Sequence, residues 1–65
     1  VTEDEFKARS RDFALNYPGA GWSFLAIVIN AKTFGDESLE RFGREQAEKY
    51  VESNPRLRER MDALK

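Results

Sequence analysis

The chain has 65 residues, none of them cysteine or histidine. A chain this short makes one domain and buries only about 60% of the surface it exposes when unfolded. No disulfide can staple it, the usual zinc ligand sets are excluded, and so are catalytic dyads built on Ser-His or Cys-His. Eleven basic and twelve acidic residues leave a net charge of −1, which offers no global attraction toward nucleic acid or an anionic membrane.

Thr2, Glu3, Asp4 and Glu5 form a Thr-x-x-Glu capping box, so a first helix is expected over about 3–17. Phe6, Phe13, Ala14 and Tyr17 share one face at 3.6 residues per turn, while Glu5 and Arg9 are spaced to pair on another. Pro18, Gly19 and Gly21 end it.

The next segment, Trp22-Ser23-Phe24-Leu25-Ala26-Ile27-Val28-Ile29, is apolar on both sides whether it is wound or extended, so its periodicity does not choose between the two. Ser23 is a suitable N-cap, and no other stretch alternates like a strand that could pair with it; a helix over about 23–33 follows. The β-branched Ile27, Val28 and Ile29 support the alternative, an α+β fold in which residues 22–30 form an intersubunit strand. As a helix the segment is apolar all round and belongs at the centre of the bundle.

Asp36 caps a third helix, about 37–53, with Leu39, Phe42, Ala47, Tyr50 and Val51 along one face. Glu37 with Arg41, Glu40 with Arg44 and Glu45 with Lys49 each put the acid four residues ahead of the base. Asn54 and Pro55 then supply an N-cap and a first helical residue for a fourth helix, about 55–64, with an apolar stripe of Leu57, Met61 and Leu64. The expected architecture is a small all-α four-helix bundle in a single domain, 1–65.

Little in this pattern points to chemistry. Glu45, Glu48 and Glu52 share a stripe that could gather a hard cation, but Arg41, Arg44 and Lys49 interleave with them, and a solvated acidic face is the expected reading. Gly19-Ala20-Gly21 lacks the preceding strand and following lysine of a phosphate loop. No metal, no cofactor and no catalytic residue is expected, and the chain reads as a non-enzyme.

In the last helix Arg56, Arg58, Arg60 and Lys65 outweigh Glu59 and Asp62. Arg56 and Arg58 fall in its first turn, where the helix dipole disfavours cations, so Glu52 or another acid of the third helix should compensate them, or else an anionic partner. A helix-turn-helix over Ile27 to Arg44 would face phosphates with Asp36, Glu37 and Glu40, the wrong charge. A ribbon-helix-helix would offer the groove apolar side chains where polar readers are needed.

The expected function is a small regulatory or protein-interaction module that occupies a surface on a partner protein. The candidate contacts are Trp22, Phe24, Ile27 and Phe34 around the apolar segment, with Arg56 and Arg60. A homodimer through the same segment is an open alternative, as are a small dimeric DNA-binding regulator and a structural fragment of a larger protein, which the start at Val1 rather than Met allows. The longest apolar run has eight residues against the roughly 20 that span a bilayer, and no basic-then-apolar leader precedes it. A cytoplasmic protein with no membrane partner is the expectation.

Overall fold

A computed structural model describes residues 2–64. Lys65, counted above among the basic residues, lies outside them. Four helices follow one another as α1 (Glu3–Asn16), α2 (Trp22–Phe34), α3 (Glu37–Glu48) and α4 (Pro55–Ala63), and the described residues contain no strand. This is the all-α four-helix bundle, with α2 packed against the other three helices and most extensively against α3.

The strand alternative for residues 22–30 is overturned, and with it the ribbon-helix-helix topology. Gly21 and Gly35 take left-handed backbone, φ 93° and φ 68°, at the two ends of α2 and so delimit it as a helix. Between them Phe24, Ile27, Val28 and Ala31 are buried against the neighbouring helices. Packing overrides the β-preference of Ile27, Val28 and Ile29.

Ser23 does not cap α2. The helix begins one residue earlier, and the Ser23 hydroxyl instead donates to the Tyr17 carbonyl at 2.7 Å, tying the end of α1 to the start of α2. At the head of α1 the Thr2 hydroxyl accepts from the Glu5 amide at 3.1 Å, while the Thr2 amide does not donate back to the Glu5 carboxylate. Asp36 does cap α3, its Oδ1 accepting from the Leu39 amide at 3.0 Å.

The third helix is shorter than its periodicity implies and gives way to turns after Glu48. The ladder tightens there, the Lys49 and Tyr50 amides donating three residues back to the Gln46 and Ala47 carbonyls at 3.2 and 2.9 Å. The Asn54 side chain caps nothing in α4; its Nδ2 donates to the Ala20 carbonyl at 3.1 Å and so pins this turn to the α1–α2 connection. Tyr50, released from the helix, stacks on Phe24 with ring centroids 6.0 Å apart.

The core gathers where α2, α3 and α4 meet: Phe24, Ile27, Ala31, Leu39, Ala47, Leu57 and Met61 are buried, with Leu25, Phe42, Tyr50 and Val51 packed on them. Gly43 makes the α2–α3 approach possible. A Cβ there would meet Val28 Cγ2 at 2.8 Å and the Phe24 carbonyl oxygen at 3.0 Å.

Candidate functional site

The first helix is left partly uncovered. It turns a face of three aromatic side chains toward α2, yet Ala14 is its one buried residue among those described. Phe13 is 61% exposed and Tyr17 66%, their rings 5.3 Å apart. Phe6 is also exposed and meets Phe34 edge-on at 5.9 Å. The sequence periodicity correctly groups these residues on one face, but the core closes without them.

An open groove of about 270 Å³ runs between α1 and α2, lined by Phe6, Arg9, Phe13, Ala26, Ile27 and Asn30 together with two serines, Ser10 and Ser23. Phe6 meets Phe34 toward one end of it, and Phe13 meets Tyr17, which accepts the Ser23 hydrogen bond, toward the other. Phe6 and Phe13 are seven residues apart, so the groove is about 10 Å long at 1.5 Å per helical residue. Beyond Ala26 the surface continues as a stripe on α2, where Trp22, Ala26, Ile29 and Thr33 recur at helical spacing and are all exposed. Leu15 is exposed too, but lies about 200° around α1 from Phe13 and takes no part.

Charge is sparse here. Arg9 is the one ionic residue lining the groove, and it makes no ion pair or hydrogen bond among the described residues. Its expected partner Glu5 is not engaged. Asn30 likewise makes no side-chain hydrogen bond there. The base that does pair is Lys7, which the sequence reading passed over. Its Nζ lies 2.8 Å from Asp36 and 3.1 Å from Glu3, and 5.3 Å from the centre of the Phe34 ring. It fastens α1 to the α2–α3 turn. The Asp36 carboxylate beside it, with Glu3 adding to the effect, raises the Lys7 pKa. In return the Lys7 ammonium, helped by the Leu39 amide, holds Asp36 below the usual carboxylate range.

Of the residues expected to meet a partner, Trp22 and Phe34 are exposed at either end of α2, each about two-fifths accessible. Phe24 and Ile27 are core residues, and a partner could reach Phe24 only by opening the bundle; Ile27 forms part of the groove floor. Arg56 and Arg60 are exposed on α4, which contributes no residue to the groove lining, and pair with no acid among the described residues. Between them Arg58 makes a two-pronged bond to Glu48, at 2.9 and 2.8 Å, so the compensating acid of the third helix is Glu48 rather than Glu52. Of the three pairs expected along α3, Glu40–Arg44 forms at 3.0 Å, whereas Lys49 donates to Gln46 and Arg41 has no ion-pair partner among the described residues.

No group of three or more acidic side chains among the described residues is placed to hold a metal ion, so Glu45, Glu48 and Glu52 do not gather into one. Among the described residues no helix is long and apolar enough to cross a membrane. The half of the groove contributed by α1 was missed in the sequence, where Phe6, Phe13 and Tyr17 read as one face of an ordinary amphipathic helix. The one hint was an aromatic face too bulky for the small helix partners available to cover it. Comparison with protein-family models, with curated proteins and with solved structures finds no match to this chain.

Proposed function

We propose that the protein is a non-enzymatic interaction module whose α1–α2 face docks on a partner protein. One observation carries the reading. From α1 the core takes only Ala14 among the described residues, yet Phe6 and Phe13 stay exposed along one groove, Trp22 and Ile29 on the stripe of α2 that adjoins it, and Tyr17 and Phe34 in ring contact with Phe13 and Phe6. Soluble monomers seldom leave large contiguous apolar patches in water, and those they keep commonly mark association sites. At about 270 Å³ and open along its length, the groove falls below the roughly 300–1,000 Å³ usual for enclosed small-molecule sites and suits the anchor side chains of a docked chain segment.

The test is calorimetric titration with a Leu-rich amphipathic helical peptide of about 15 residues, long enough to hold a helix. Saturable binding with a negative heat-capacity change is expected, weakened by Phe13→Ala and unaffected by Leu15→Ala on the opposite face of α1. Absence of binding, or equal weakening by both substitutions, contradicts the reading.

A further inference from the structure

Building on that docking face, we infer that its occupant is an amphipathic helix of another protein with a carboxylate beside its apolar anchors, and that Arg9 selects it. The groove is walled by two helices running in opposite directions, since Phe6 meets Phe34 at one end while Phe13 and Ser23 share the other. A third helix laid in that channel is the packing such a surface admits.

Ala26 sits where the groove floor meets the exposed stripe of α2, and its small side chain lets an incoming helix approach closely. Among mainly apolar walls the occupant meets one formal charge, the guanidinium of Arg9, and one amide, Asn30, neither with a side-chain partner among the described residues. A carboxylate on the occupant satisfies the first, and a polar neighbour the second. A second copy of this chain fits less well. The ridge it would insert, Trp22, Ala26, Ile29 and Thr33, bears no acid to meet Arg9.

The experiment compares two fluorescent amphipathic peptides, identical except for Glu or Lys at the position beside the anchors, by anisotropy against four proteins: wild type, Arg9→Glu, Arg9→Gln and Ala26→Asp. The wild type should prefer the Glu peptide by about two- to fivefold, the range of a partly exposed ion pair. Arg9→Glu should reverse the preference, Arg9→Gln should abolish it, and Ala26→Asp should weaken both peptides. Equal binding of both peptides to wild type and Arg9→Glu, with Ala26→Asp still weakening both, overturns selection by Arg9 and leaves the docking face standing. Failure of both peptides to bind, or indifference to Ala26→Asp, overturns the docking face as well. A doubled mass in light scattering that Ala26→Asp reduces to the monomer assigns the groove to a second copy and overturns the inference.

Discussion

At Gly43 two effects compete, and distance decides between them. Alanine in a helix interior is favoured over glycine by up to about 1 kcal/mol. Against that, the new Cβ would meet Val28 Cγ2 at 2.8 Å and a backbone oxygen, that of Phe24, at 3.0 Å. A backbone atom cannot swing aside as a side-chain tip can. Overpacking of this kind costs about 1–3 kcal/mol, so Gly43→Ala should lower stability in chemical denaturation despite the better helix former. A gain would show that α2 and α3 have room to part. Electrostatics at the residue scale centres on Asp36 and Glu40, both held below the usual carboxylate range, Asp36 chiefly by its bond to Lys7 and Glu40 chiefly by its bond to Arg44. A carboxylate with a depressed folded pKa stabilises fully above its unfolded value, about pH 4, and loses that contribution as pH falls through the folded one. The melting temperature should therefore hold from neutrality to about pH 5 and decline below about pH 4. Asp36→Asn, which retains a capping side chain, should make that acid-side decline shallower. Lys7, with its pKa raised, contributes below its unfolded value near pH 10 and loses that only in strong alkali, so it adds no slope near neutrality. The Asp36 cap was legible in the sequence because capping is local. Its bond to Lys7 was not, because 29 positions separate the two residues and only the fold joins them.

Among the elements, α1 is held most loosely. It buries Ala14, meets Phe34 through the Phe6 ring, and is fastened by Lys7 to Asp36. Elements with few buried contacts open first in native-state exchange. Amides of α1 should therefore exchange faster than those of α2, and Lys7→Met should widen the gap while leaving α3 protection unchanged. Protection in α1 equal to that of α2 would contradict this account of the packing. The limits of α1, the start of α3 and the extent of α4 were read nearly as they are, since caps, prolines and glycines act through neighbours in the chain. The C-terminal turn of α3 was missed because apolar spacing continues through Tyr50 and Val51, whereas the backbone leaves the helix at Lys49 and Tyr50 through three-residue bonds to Gln46 and Ala47, which the apolar pattern does not encode. The exposed face of α1 was misread for a different reason. A helical wheel tells which residues share a face, and nothing about what is available to cover it.

For the whole molecule, the radius of gyration of 11.1 Å is close to the roughly 10.7 Å expected of a compact chain of this length. Its extents of 34 × 25 × 13 Å nonetheless describe a flattened body, and a flattened body has broad faces. Stability and docking should separate under mutation. Leu57→Ala, in the fully enclosed core, should cost about 2–5 kcal/mol. Phe13→Ala, mostly in water, should leave the melting temperature almost unchanged. The central claim is that the groove, and not the basic face of α4, receives the partner. Backbone amide shifts of the isotopically labelled protein, followed while the Glu-bearing amphipathic peptide is added, test it most directly. Saturable changes at Arg9, Ser10, Phe13, Ala26 and Asn30, with Arg56 and Arg60 unmoved, are the expected result; changes centred on α4, or none in the groove, would contradict it.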